Sequence, residues 1–239
     1  MNAPRLGMIV LQADETIEDE FRQLFATSSA TLLTSRVPSG DELTADSIAT
    51  MERNLPASAA LFPRGVPFDA VAYACTSGTT LIGAERVAKL VQSGCRAQAV
   101  TDPLTAALHA VAHLGCRSIG LVTPYTADIA APVARAFSDA GVTVRNTFSF
   151  DEAVEANVAR LSADAITAAA AEVASDGVDA LFLSCTNLKT LNLIASLERE
   201  FRCPVLSSNL VLAWHMAVLT GVPLLLPGTL QPPNEFPPT

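Results

Sequence analysis

Short apolar or β-branched runs alternate along the chain with alanine-rich stretches in which apolar residues recur at helical spacing. Leu6-Gly7-Met8-Ile9-Val10-Leu11 and Ala70-Val71-Ala72-Tyr73-Ala74 are runs of the first kind. The pattern predicts strands over 5–11, 31–36, 69–74, 97–101, 118–123, 142–148, 179–184 and 204–207. Helices are predicted over 16–27, 43–60, 80–93, 103–114, 127–140, 162–175, 190–200 and 209–220. Such alternation is expected of parallel sheets covered by helices, the α/β class. Five prolines in 227–239 predict an irregular tail.

The pattern also repeats. Gly7-Met8-Ile9-Val10 is echoed 113 residues later by Gly120-Leu121-Val122-Thr123. FDAVAYACTSGT, Phe68 to Thr79, is echoed 110 residues later by VDALFLSCTNLKT, Val178 to Thr190. Ala107-Leu108-His109-Ala110-Val111 returns at an offset of 106 as Ala213-Trp214-His215-Met216-Ala217-Val218, with one residue added. Near-constant offsets mark internal duplication. The expected fold is therefore two similar α/β lobes, each a short mostly parallel sheet flanked by helices, related by a pseudo-twofold. One lobe would comprise 1–102 with 209–226 and the other 103–208, leaving 227–239 as the tail.

Composition narrows the function classes. With 239 residues, 50% of them hydrophobic, the chain can bury a sizeable core. Fifteen basic residues against 24 acidic ones give a net charge of −9, with no basic run to neutralise phosphates. Nucleic acid and anionic membrane surfaces are therefore excluded as partners. No basic n-region precedes Leu6, and no apolar run approaches ~18 residues, so a soluble cytoplasmic protein is expected.

Five widely spaced cysteines, an odd number, argue against a disulfide framework and fit a reducing compartment. No CxxC pair is present to hold zinc. His109 and His113 lie one helical turn apart but lack an HExxH pattern or a nearby carboxylate, so they are expected on a helix surface and no metal is expected. Gly78 to Gly83 reads GTTLIG, yet Ala84 and Glu85 stand where a phosphate-binding loop needs Lys and Ser or Thr.

The candidate chemistry lies in the duplicated cysteines. In each copy an Asp stands six residues before the cysteine, Asp69 before Cys75 and Asp179 before Cys185. Both cysteines fall where a buried strand stops and a turn toward a helix begins, the position at which parallel α/β sheets bind ligands. Two pseudo-symmetric lobes would present them from opposite sides of one cleft. Thr76, Ser77, Thr186 and Asn187 follow directly, offering backbone N–H groups, hydroxyls and an amide to an anion such as a carboxylate. A lone cysteine is more often a buried packing residue, but duplication in matching polar loops favours function. Cys95, Cys116 and Cys203 lack that context and are read as packing residues.

These motifs resemble the aspartate/glutamate racemase superfamily, through ACTSGT at Cys75, LVTPYT at Tyr125, LSCTNL at Cys185 and GMIVLQADETIEDEF near the N-terminus. Within it the chain is most similar to maleate cis-trans isomerases and ectoine-utilization proteins. The resemblance implies an isomerase or racemase of a small carboxylate or amino-acid-like substrate, with Cys75 and Cys185 catalytic. In racemases of the superfamily one thiolate takes a proton and the facing thiol returns one. In maleate isomerase-like members the first cysteine is thought to add to the double bond. Either route needs one thiolate at neutral pH, favoured by helix-start dipoles and hydroxyl donors, and neither needs a metal or organic cofactor. The resemblance also implies a homo-oligomer. Arylmalonate decarboxylase-like members carry glycine at the first cysteine position, which disfavours that activity for a chain with Cys75.

The resemblance further implies that Tyr125, with Thr126, contacts substrate at the second-lobe strand end. Asp14 departs from the pattern: maleate isomerases have a segment like VPSSNTTME, with a carboxylate-binding Asn where VLQADETIE places Asp14. Asp14 would attract a substrate ammonium, or else cap the helix that begins near Thr16. A cleft that binds a ligand without catalysis is the non-enzymatic alternative.

Overall fold

The computed structural model describes residues 3–175 and 177–233. Two parallel sheets carry the fold. The first contains β1 (Arg5–Leu11), β2 (Thr31–Val37), β3 (Phe68–Ala74) and β4 (Ala97–Thr101) in the order β2-β1-β3-β4. The second contains β5 (Ser118–Thr123), β6 (Thr143–Ser149), β7 (Ala180–Leu183) and β8 (Val205–Ser207) in the order β6-β5-β7-β8. The second order is the first with every strand advanced by four, so the duplication in sequence is a duplication in topology. Central β5 and β7 are buried throughout, and β1 and β3 almost so, whereas edge strands β2 and β6 keep several residues exposed.

The repeated glycine and aspartate have matching structural work. Asp69 Oδ2 accepts a hydrogen bond from the Arg5 N–H at 2.7 Å, tying the start of β3 to the start of β1. Asp179 Oδ2 accepts from the Ser118 and Arg117 N–H groups at 2.9 and 2.8 Å, tying β7 to β5 at the equivalent place. A Cβ added at Gly7 would meet Phe62 and Val71 at 3.1 Å, and one at Gly120 would meet the Val173 carbonyl at 2.7 Å. A side chain at Gly120 would collide with the Val173 backbone, and one at Gly7 would press on the side chains around it.

Ten α-helices are formed by the described residues, besides one turn of 3-10 helix (Leu191–Leu193): α1 (Ile17–Leu24), α2 (Ala45–Ala59), α3 (Thr76–Ile82), α4 (Ala84–Gly94), α5 (Pro103–His113), α6 (Ala127–Asp139), α7 (Glu155–Val158), α8 (Ala163–Ala174), α9 (Ile194–Phe201) and α10 (Ser208–Thr220). The single helix expected over 80–93 is two, because Gly83 adopts φ +91° between them; the first starts at Thr76, directly after Cys75. The four-residue α7 is too short to show a periodic pattern and was not expected. α10 is buried from Ser208 to Ala217 and packs on α5 and β3, with further contacts to β4 and β8. His109 and His113 are exposed on α5, their rings 4.6 and 5.3 Å from those of His215 and Trp214 on α10.

Among the described residues no helix is long and apolar enough to cross a membrane. Residues 227–233 are irregular yet anchored: Glu198 accepts from the Thr229 N–H and hydroxyl, and Trp214 Nε1 donates to the Gln231 carbonyl. Of the predicted tail, 234–239 lie outside the described residues.

Candidate active site

β3 delivers Cys75 to a helix start. The residue is extended, with φ −153°, and serves as the N-cap of α3: Sγ accepts from the Gly78 N–H at 3.2 Å and lies 3.5 Å from Ser77 Oγ. A sulfur here replaces the usual hydroxyl or carboxylate cap, so the helix-start donors fall on the thiol. Thr76 does not face the thiol through its hydroxyl; it shares a hydrogen bond of 2.8 Å with Ser208 Oγ, at the start of α10.

β7 delivers Cys185 differently. Its φ of +137° is rare for a residue with a side chain, and the strain is held by a hydrogen bond of 2.9 Å from the Cys185 N–H to Ser208 Oγ. Ser208 therefore joins both cysteine loops. A second tie runs from the Thr186 hydroxyl to the carbonyl of Ala74, the residue before Cys75, at 3.3 Å. These bonds bring Cys75, Thr76, Cys185 and Thr186 into one buried site between the sheets; the cysteines are 3% and 5% exposed.

Asn187 knits the site to two further segments. Its N–H donates to Cys185 Sγ at 3.4 Å, its Oδ1 accepts from the Glu15 N–H, and its Nδ2 donates to both the carbonyl and Oε2 of Glu155 at 2.9 Å. Asp14 Oδ1 accepts from the Thr16 and Ile17 N–H groups at 2.8 and 2.9 Å, so it caps α1. Its Oδ2 is buried with no hydrogen bond made to it: the Thr186 hydroxyl lies beside the carboxyl but donates to the Ala74 carbonyl. The charge of nearby Arg36 is engaged by Glu18 and by the carbonyls of Leu11, Gln12 and Asp14.

Tyr125 is buried with its phenol beside Cys185, while the Ser149 hydroxyl holds its carbonyl. Thr126 stands apart from this group: half-buried, it donates to Asp128 Oδ1 at 2.5 Å. The sequence reading also missed Glu155, Tyr73 and Ser208. Glu155 heads the short α7 in a segment that reaches from the second lobe to the first, where its N–H donates to the Asp41 carbonyl and Val154 bridges Glu42. Nothing local in DEAVEANV signals that role. Tyr73 did carry a signal, since it stands two residues before Cys75 and so shares a strand face with it.

Electrostatically the site is acidic. Burial raises the Cys75 thiol to about 11 despite the Ser77 and Gly78 donors. Burial, then the Glu155 carboxylate and Asp14, push Cys185 well above the ordinary thiol value. Burial also raises Glu155 to about 7, with Asp14 adding to the shift, and raises Asp14 itself. No cation is among the largest influences on either thiol. Both thiols are thus held toward the neutral form in this arrangement: the donors are in place, but desolvation outweighs them.

The model of the family described as arylmalonate decarboxylase matches residues 6–230. A maleate isomerase of Nocardia farcinica is 25% identical over 95% of this chain and 94% of its own. Among solved structures, the N. farcinica maleate cis-trans isomerase, as a cysteine-to-serine mutant with a covalently bound succinylcysteine intermediate, superposes with a TM-score of 0.86 at 22% identity, over 95% of this chain and 97% of that one. A cysteine-to-alanine maleate isomerase of Pseudomonas putida with maleate gives 0.85 at 22%, covering 95% and 96%. Arylmalonate decarboxylase gives 0.74 at 22%, covering 95% and 98%. The chain belongs to the arylmalonate decarboxylase family.

Proposed function

We propose that the chain is a cofactor-independent isomerase of a small carboxylate, using Cys75 and Cys185 on opposite sides of the substrate. One observation carries the reading: two thiols at equivalent strand ends of duplicated lobes are joined through Ser208 and through Thr186 to Ala74. In the racemase form of this chemistry a Cys75 thiolate removes the proton from the carbon next to the carboxylate, and its electron pair passes into an enediolate. The Cys185 thiol then protonates the opposite face, exchanging one thiolate for the other. The buried Tyr125 phenol stands ready to donate to the developing oxyanion.

An amino-acid-like substrate is favoured by the unpartnered Asp14 Oδ2 and the neighbouring Glu155. A substrate ammonium would supply the countercharge these carboxyls lack. It also agrees with the resemblance to ectoine-utilization proteins. A second reading, cis-trans isomerisation of maleate, is favoured by the 25% identical relative. There the Cys75 thiolate would form a C–S bond to the alkene, rotation would follow about the resulting single bond, and elimination would return the electron pair to sulfur. A cytoplasmic homo-oligomer belongs to the same proposal.

Proton NMR in deuterium oxide tests it with maleate, aspartate, glutamate and diaminobutyrate derivatives. Deuterium entering at an α-carbon supports the amino-acid reading, and loss of the cis-vinyl signal supports the maleate reading. If both signals persisted for every compound, with the thiols unprotected by any of them, a ligand-binding module would stand instead.

A further inference from the structure

The chain has two tyrosines, and each sits on one of the two paired cysteines: Tyr125 beside Cys185 and Tyr73 beside Cys75. Tyr73 is fully buried on β3. A Cβ placed on Gly78 would lie 2.5 Å from its phenol oxygen and 2.9 Å from Cys75 Sγ, so the two atoms converge over the bare glycine. The glycine of ACTSGT is therefore needed for space: its φ is ordinary for a helix, but any side chain would drive phenol and thiol apart.

The resting partner of this phenol is poor. Its O–H points to Met51 Sδ at 3.6 Å, and a thioether is a weak acceptor. A fully buried phenol normally finds a stronger one. The Cys75 sulfur already lies within reach of the same phenol over Gly78, and it becomes the stronger acceptor once it carries charge.

We infer that Tyr73 is a positioning residue for Cys75: its phenol, parked on Met51, turns to donate to the Cys75 thiolate as that thiolate forms, in the space that Gly78 leaves open. The phenol keeps its proton throughout; only the acceptor changes, from thioether to thiolate. With no cation among the largest influences on Cys75, this donor joins Ser77 and the Gly78 N–H in making the ionised sulfur accessible. The two lobes thus provide each thiol with its own phenol, from a strand in one case and a loop in the other.

The inference rests on Cys75 as the reactive thiol of the first lobe, but its test reads ionisation rather than turnover, so failure of the isomerase proposal leaves it standing. Iodoacetamide alkylation is followed against pH and quantified for each cysteine by peptide mass spectrometry. In Tyr73→Phe the Cys75 midpoint should rise by about one pH unit, slowing alkylation below the midpoint about tenfold while the Cys185 rate holds. A Cys75 profile unchanged or shifted downward would overturn the inference. A second variant removes dependence on that substitution's folding: in Tyr125→Phe protein grown with 3-fluorotyrosine, position 73 alone carries the more acidic phenol. The Cys75 midpoint should then fall relative to Tyr125→Phe with ordinary tyrosine, and a midpoint indifferent to phenol acidity would equally overturn it.

Discussion

The two cysteine loops share an ancestry visible in their sequences and differ in what surrounds the sulfur. Cys75 sits in ordinary extended backbone as a helix cap, with a backbone N–H and a hydroxyl on its sulfur. Cys185 sits at φ +137° before a turn, receives the Asn187 N–H, and has Glu155 and Asp14 for neighbours. Helix-start donors favour a thiolate, and carboxylates oppose one. The same strand end thus carries a sulfur with helix-start donors in one loop and a sulfur beside carboxyls in the other, and the proposed division into base and acid follows that difference.

The sharpest way to break this comparison is to remove each sulfur. Cys75→Ser and Cys185→Ser should each lower turnover roughly a thousandfold or more, since a hydroxyl is a far weaker acid and nucleophile. The partial reaction should tell them apart. Exchange of one α-proton into deuterium oxide should survive in Cys185→Ser, where the base remains, and vanish in Cys75→Ser. Equal loss of exchange in both would erase the assignment of roles.

Glu155 provides the next test, because its carboxylate weighs more heavily on Cys185 than on Cys75. Glu155→Gln should move the Cys185 alkylation midpoint down further than that of Cys75. It should also change stability. Glu155 titrates near 7 when folded against an ordinary 4.5, so its contribution is fully present below about pH 4.5 and is lost as pH rises through about 7. The gap corresponds to about 3 kcal/mol at most. Urea midpoints at pH 5 and pH 8 should therefore diverge between wild type and Glu155→Gln, with wild type losing more at the higher pH. Parallel behaviour would show that the carboxyl is not perturbed.

Asp14→Asn separates capping from recognition. Asn caps about as well as Asp, so the melting temperature should hold. A charged hydrogen bond to a substrate ammonium contributes roughly 1.5–3 kcal/mol, so kcat/KM for an amino-acid substrate should fall about ten- to a hundredfold. Turnover of maleate should rise or emerge. If kcat/KM for both substrate classes moved together, Asp14 would be a cap and nothing more.

The smallest effect compares the strand ties. Asp179 accepts two N–H bonds and the Ser118 hydroxyl, whereas Asp69 accepts one N–H. Asp179→Ala should cost about 2 kcal/mol in urea unfolding and Asp69→Ala about 1 kcal/mol. The reverse order would mean that one copy's register depends on something other than this bond.

Most of the fold was legible because each strand announces itself through local composition; all eight lie within two residues of their expected bounds. The duplicated offsets disclosed the two sheets for the same reason, since glycine, aspartate and cysteine keep their places relative to the strands. Errors arose where the backbone departs from local preference. Gly83 splits an apparently continuous helix, and α7 owes its position to bonds with Asp41 and Asn187 rather than to periodicity. Glu155 and Ser208 were invisible because their partners lie 32 and 132 residues away. Thr126 follows Tyr125 in sequence, and its hydroxyl turns to Asp128, a contact that sequence proximity to the tyrosine did not disclose.

The placement of α10 bears on how the molecule is made. Synthesis releases the first sheet long before Ser208, yet the helix that covers β3 and α5 follows the last strand of the second sheet. Until it emerges, Thr76 lacks its hydroxyl partner, the Cys185 N–H lacks its acceptor, and a sheet face remains open to other unfinished chains. A chain stopped before residue 208 therefore leaves that face uncovered and lacks the Ser208 tie between the two loops. The Ser208 tie between the two thiol loops therefore forms only after β8 has been made.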